Sequence, residues 1–124
     1  MNKTFTLRPA QHSDLPALSH LCLRSKAYWG YDAAFMAACV PVLTLTADDL
    51  NDPLIVAWAG DRMAGMAQVS GAPGDMDIDR LFVDPTFIGT GCGRVLFNRC
   101  MATAKARDET RSEKHRVGKK NKKT

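Results

Sequence analysis

Apolar and polar positions alternate in distinct ways along this chain, and each pattern predicts an element. Thr4–Arg8 reads as a short strand that stops at Pro9. Leu15, Leu18 and Cys22 then recur at steps of three and four. That spacing predicts an amphipathic helix to about Ala27, with Ser13 as N-cap and Pro16 in the first turn. Trp29-Gly30-Tyr31 breaks it. Asp32 caps a second short helix with Phe35, Met36 and Cys39 on its inner side, and Pro41 ends it. Thr46 to Leu50 suggests one further helical turn.

The second half changes period. Leu54–Ala59 is a continuous apolar run, Gly60-Asp61 interrupts it, and Arg62–Ser70 follows as a second strand, so the two predict a hairpin. Met76–Val83 is a further strand, stopped by Asp84-Pro85. Beyond a glycine-rich stretch, Cys92, Leu96, Cys100 and Ala104 form one helical stripe, widened by Phe97 and Met101. The order β-α-α-β-β-β-α, with hairpin-like neighbours, predicts an α+β fold around a mostly antiparallel sheet flanked by helices.

Periodicity dissolves past Arg107. Glu109 is the first Glu in the chain, and five lysines follow it, from Lys114 to Lys123. From Lys105 onward nine Lys or Arg face three acids, a net +6, whereas residues 1–104 hold eight bases against ten acids. The overall +4 and the pI near 9.0 therefore describe a tail rather than a basic fold. The expected division is a domain over 1–107 and a basic tail over 108–124, disordered or a loosely frayed extension of the helix. That tail has no aromatic residue to stack a base, so it predicts no specific nucleic-acid partner, only salt-sensitive contact with anionic partners.

The chemistry-bearing stretch is Leu81-Phe82-Val83-Asp84-Pro85 followed by Gly89-Thr90-Gly91-Cys92-Gly93-Arg94. It is a strand, a stop, a glycine loop and a helix start. Helix N-termini carry unpaired N–H groups and partial positive charge, and glycines let a phosphate come close. Thr90 can add a hydroxyl and Arg94 a charge. No Lys closes the loop as in a P-loop, and Arg94 stands where a Rossmann fingerprint needs its third glycine. A glycine-rich turn without ligand is the competing reading, but a simple turn needs fewer than three glycines.

The pattern resembles the acyl-coenzyme A loop of the GNAT superfamily of N-acetyltransferases, [RQ]-x-x-G-x-[GA], placed here on Ile88 to Gly93. The upstream V-D-P and downstream G-R-x-L-F are also similar to that family. Ile88 departs from it, standing where Gln or Arg is common. The resemblance implies acetyl-CoA as co-substrate, held by Leu81, Phe82, Val83, Ile88, Gly89, Thr90, Gly91, Cys92, Gly93 and Arg94. It implies acetyl transfer to a primary amine of a small molecule, with Asp77 or Asp79 taking the amine's proton. These two share strand parity and should project to one face, with Arg80 on the other; solvated residues at a strand start are the alternative. Tyr28, Trp29, Tyr31 and Asp32 fall in the family's acceptor region, or form a core aromatic cluster. Cys92 at a helix tip reads as packing rather than a reactive thiol.

Complete family domains continue with a strand, helix and strands, and residues 108–124 carry only Val117 as a large aliphatic. The reading is therefore a partial, C-terminally truncated GNAT-like fold lacking its last strand-helix-strand unit, with an exposed sheet edge open to self-association. Two other readings stand beside it: a catalytically inactive remnant that binds CoA, and anionic-partner binding through the tail. Cys22, Cys39, Cys92 and Cys100 form no C-x-x-C pair and no zinc spacing. They read as reduced, with no metal, in a cytoplasmic protein. No signal peptide or membrane span is seen, since the longest apolar run, Ala33–Val40, is too short.

Overall fold

The computed structural model describes residues 4–71 and 76–114, with side chains as far as Ala106. Four strands form one antiparallel meander: β1 (Thr6–Pro9), β2 (Leu54–Ala59), β3 (Arg62–Ser70) and β4 (Asp77–Val83), in the spatial order 1-2-3-4. Helices α1 (Leu15–Ala27) and α2 (Ala33–Leu43) fill the long connection from β1 to β2, and α3 (Cys92–Lys114) follows β4. The predicted α+β class and element order hold.

The sheet has a core on each face, which explains the unbroken apolar runs of its central strands. Ile55, Ala57, Ala67 and Val69 face α3, where Cys92, Leu96, Cys100 and Ala104 are all buried against them. Leu54, Val56 and Met66 face α1, packing with Leu15, Leu18, Leu21 and Cys22. Gly65 lets α3 approach closely: a Cβ there would lie 2.9 Å from the Phe82 carbonyl oxygen and 3.0 Å from both Cys92 Sγ and Leu96 Cδ1.

Several expectations are corrected. β1 runs through Pro9, which an edge strand tolerates because one side of it needs no N–H. Ser13 does not cap α1; it lies in a 3-10 turn, His12–Asp14, closed by Gln11 N donating to Asp14 Oδ2 at 2.8 Å. Asp32 caps α2 as expected, accepting from Phe35 N at 2.8 Å. Pro41, however, does not end α2. It removes one N–H from the last turn only, and Ala37, whose carbonyl that N–H would have reached, is exposed to water. The inner side expected for α2 holds only in part: Cys39 packs against the α1 cluster and Met36 is half-buried, but of the helix only Leu43 is buried, and Phe35 is 42% exposed. Phe97 and Met101 likewise lie outside the α3 stripe, each 48% exposed. Of the tail expected over 108–124, residues 108–114 continue α3 as helix, and those from residue 115 lie outside the described residues.

Two irregularities of register matter for the site. Between β2 and β3, Ala57 pairs Gly65 and Trp58 pairs Met63, so Ala64 is skipped. Between β3 and β4, Gln68 pairs Arg80 and Val69 pairs Ile78, so Asp79 is skipped. A one-residue bulge of this kind inverts the parity of everything beyond it.

Candidate functional site

Val83 ends β4, and Asp84 anchors what comes next. Its N–H donates to the carbonyl of Ala64, the residue left unpaired by the first bulge, at 2.8 Å. Its carboxylate caps the 3-10 turn Pro85–Phe87, accepting from Thr86 N at 3.2 Å and from the Thr86 hydroxyl. It also accepts from Arg24 Nε on the last turn of α1 at 2.8 Å. Asp84 is only 6% exposed. Burial alone pushes its carboxyl up. The bonds from Thr86 and Arg24, with the Arg24 charge, outweigh that and hold it below its usual 3.8. Asp84 was legible in the sequence only as a strand stop; its place before a Pro and two residues ahead of Thr86 is the signature of this turn.

From Phe87 the chain turns twice through glycine. Gly89 and Gly91 have φ of +85° and +92°, the left-handed region in which a side chain is strained, although open space surrounds both. Phe87 is buried beneath the loop, with the ring of Phe5 edge-on to it at 6.1 Å. Thr90 N donates to the Phe87 carbonyl at 3.3 Å, and so does the Thr90 hydroxyl. The Thr90 proton therefore closes the turn rather than facing outward.

The amides next in line are free. Among the described residues, no backbone or side-chain acceptor meets the N–H of Gly89, Gly91, Cys92, Gly93 or Arg94, whereas Val95 N already donates to Gly91 O at 3.0 Å. These are the orphan donors of a helix start, widened by one glycine upstream. Two of these residues, Gly89 and Gly93, line a cavity of about 300 Å³, together with Ser25 and Trp29 of the α1 end, Leu81 and Val83 of β4, and Phe87 and Ile88. Gly93 has an ordinary φ, and a Cβ there would come 3.7 Å from Val83 Cγ2 and 3.9 Å from Leu81 Cδ2.

Of the expected cofactor residues, the cavity thus gathers Leu81, Val83, Ile88, Gly89 and Gly93. Phe82 turns to the opposite face of the sheet, against the α1 cluster. The Arg94 side chain is exposed. Cys92 is buried, and burial pushes its thiol up to about 11, which suits packing rather than nucleophilic chemistry.

The expected carboxylates sit elsewhere on β4. Asp77 and Asp79 are both exposed. The parity expected for this strand is corrected by the second bulge. Asp77 pairs Ser70 and Arg80 pairs Gln68, so Asp77 and Arg80 share a face of the sheet. There Arg80 lies 3.5 Å from Asp49 Oδ1, and Gln68 Nε2 donates to the Asp49 carbonyl at 2.7 Å.

The expected acceptor residues form an open surface rather than a pocket or a core cluster. Tyr28, Trp29 and Tyr31 are all exposed. Tyr28 and Trp29 meet edge to face at 5.1 Å, and Tyr31 lies against Phe35 at 4.6 Å. Lys26 Nζ sits over both rings of the second pair, at 5.2 and 5.7 Å, and the Asp32 carboxylate is engaged as helix cap. Trp29 alone of these four reaches the glycine-loop cavity. The four cysteines are free. Among the described residues there is no cluster of three or more metal-ligating side chains, and no helix is long and apolar enough to cross a membrane.

Solved structures of the same shape have been found. A PaiA N-acetyltransferase from Thermoplasma acidophilum, in complex with coenzyme A, superposes with a TM-score of 0.73 at 16% identity, over 83% of this chain and 73% of that one. A GCN5-related N-acetyltransferase from Rhodopseudomonas palustris gives 0.69 at 24% identity, over 86% and 69%. The ribosomal-protein-S18-alanine N-acetyltransferase of Escherichia coli gives 0.61 at 19% identity, over 84% and 61%. A comparison with curated protein sequences gives no match. A helix-flanked meander whose edge strand runs through an amide-rich loop into a helix places the chain in the acetyltransferase fold class. The match is also made at the level of sequence: the family described as the acetyltransferase (GNAT) domain aligns with residues 41–121, and the chain belongs to it.

Proposed function

We propose that this protein binds acetyl-CoA at the Gly89–Gly93 loop and transfers its acetyl group to a primary amine of a small molecule. One observation carries the reading: five amides of the loop and helix start have no protein acceptor among the described residues, and two of these residues, Gly89 and Gly93, line a cavity large enough to take an anion. The diphosphate would rest on those amides, with Arg94 adding charge from solvent. Membership of the GNAT family and the coenzyme A bound by the Thermoplasma protein support the choice of ligand.

In the reaction the amine nitrogen bonds to the acetyl carbon, the thioester C–S bond breaks, and the amine's proton leaves for a base. Asp77 and Asp79 are the carboxylates that β4 offers, both open to water and so able to pass a proton on. The acetyltransferase unit is assigned to residues 1–107, with the basic segment 108–124 beyond it and α3 extending to Lys114. β4 pairs only with β3 among the described residues, and a second copy is proposed as one partner for its open edge.

Calorimetric titration with acetyl-CoA tests the binding, and saturable heat is the expected result. A thiol-release assay with a panel of small amines then tests transfer. Binding without thiol release would favour an inactive CoA-binding domain; no binding would remove the reading altogether.

A further inference from the structure

The cavity beside the glycine loop has two walls, and they come from different parts of the chain. One is the loop with β4: Leu81, Val83, Ile88, Gly89 and Gly93. The other is the end of α1, through Ser25 and Trp29. We propose that Trp29 is a cofactor-contacting residue, closing over the pantetheine arm of acetyl-CoA, and that the Arg24–Asp84 ion pair is the strap that sets its distance from the loop. The proposal rests on the acetyl-CoA reading above and deepens it.

The strap is placed for this task. Arg24 Nε meets Asp84 Oδ1 at 2.8 Å, joining the last turn of α1 to the first residue after β4. Ser25 is the next residue, and Trp29 follows within one more turn. That turn is closed by Tyr28 N on Arg24 O at 3.1 Å, Trp29 N on Lys26 O at 3.3 Å and Gly30 N on Ala27 O at 3.0 Å. Gly30, with φ of +81°, then takes the chain away. The backbone of Trp29 is therefore held, while its side chain is 67% exposed and has Tyr28, edge-on, as its aromatic partner among the described residues. A large indole left in water beside a cavity is a surface that gains from being covered.

The chemistry of the lining selects what covers it. The loop amides are at one end, and Val83 and Leu81 lead away from them along β4. A chain that leaves a diphosphate on those amides and follows β4 passes between these two side chains and Trp29. In acetyl-CoA that stretch is the uncharged, amide-bearing pantetheine. A cationic amine acceptor also suits an indole face, but this lining contains no carboxylate to accompany it.

The test compares two ligands by calorimetry: acetyl-CoA, and adenosine 3′-phosphate 5′-diphosphate, which keeps the diphosphate and lacks the arm. Trp29→Ala is expected to weaken acetyl-CoA about tenfold, with Trp29→Phe in between, and to leave the armless fragment unchanged. Arg24→Ala, which removes the strap but keeps the Thr86 bonds of Asp84, is expected to weaken acetyl-CoA roughly threefold with the same selectivity. Equal weakening of both ligands, or no change for acetyl-CoA in Trp29→Ala, would overturn the proposal. Failure of the wild type to bind either ligand is a separate result and refutes the binding site itself. Trp58→Phe leaves Trp29 the only indole of the chain's two, so its fluorescence should respond to acetyl-CoA and not to the fragment.

Discussion

Helices α2 and α3 reverse what their compositions suggest. The eleven residues of α2 contain no charge, yet only Leu43 is buried. α3 carries charges along its length, yet Cys92, Leu96, Cys100 and Ala104 are sealed against the sheet. Apolar content says little about burial; what counts is a stripe at constant pitch facing a surface that can receive it. α3 has such a stripe, and Gly65 opens the sheet to it. α2 is apolar all round and meets the body mainly at its C-terminal end, through Cys39 and Leu43. The glycine loop hangs from the well-packed helix. The aromatic surface around Tyr31 and Phe35 belongs to the poorly packed one.

The largest expected effect tests the packed side. Leu96 is fully buried between Cys92 and Cys100, so Leu96→Ala should cost about 2–5 kcal/mol in urea unfolding, through lost transfer energy and a cavity. A loss below about 1 kcal/mol would mean that the α3 interface is loose, and the contrast with α2 would fail.

Next comes the strap. Asp84→Asn removes the charge facing Arg24 and should cost about 1–3 kcal/mol at neutral pH. The pH dependence has a definite sign. The folded carboxyl titrates below its ordinary 3.8, so the unfolded chain binds more protons in that range. The stabilisation is complete above the ordinary value and is lost as pH falls through the folded one. Acid titration of stability should therefore be shallower in Asp84→Asn than in the wild type; parallel curves would remove Asp84 as an anchor of the loop.

The glycines separate folding from binding. Gly91→Ala forces a side chain into the left-handed region and should cost about 1–2 kcal/mol. Gly93→Ala meets only ordinary contacts and should leave stability within about 0.5 kcal/mol, while its methyl group narrows the cavity proposed for acetyl-CoA. Unchanged acetyl-CoA affinity in Gly93→Ala would place the ligand elsewhere.

What was legible in the sequence follows from the same physics. The strands of the meander, the α3 stripe and the glycine turn into α3 are local patterns, and each is readable from spacing and glycine chemistry. The missed features are non-local. No periodicity in the chain shows that Asp79 drops out of register opposite β3, so the parity of Asp77 and Arg80 came out reversed. Nor does the sequence show that Arg24, 60 residues away, reaches Asp84, or that Trp29, while still edge-on to Tyr28, also lines the loop cavity. Apolar residues in a helix invite an inward placement, which Cys39 meets against the α1 cluster and Phe35, with no opposing surface, does not.

The smallest expected effect probes that last point. The exposed Phe35 ring touches Tyr31 and lies under Lys26 Nζ. Phe35→Ser should therefore change stability by no more than about 0.5–1 kcal/mol, the worth of a solvent-exposed ring contact and cation–π pair. Measured at several protein concentrations, the change should be constant. A loss exceeding about 2 kcal/mol and growing with concentration would mean that copies of the chain bury α2 between them. The difference between the two helices would then belong to the monomer alone, and the aromatic surface would be unavailable to an incoming amine in the assembled protein.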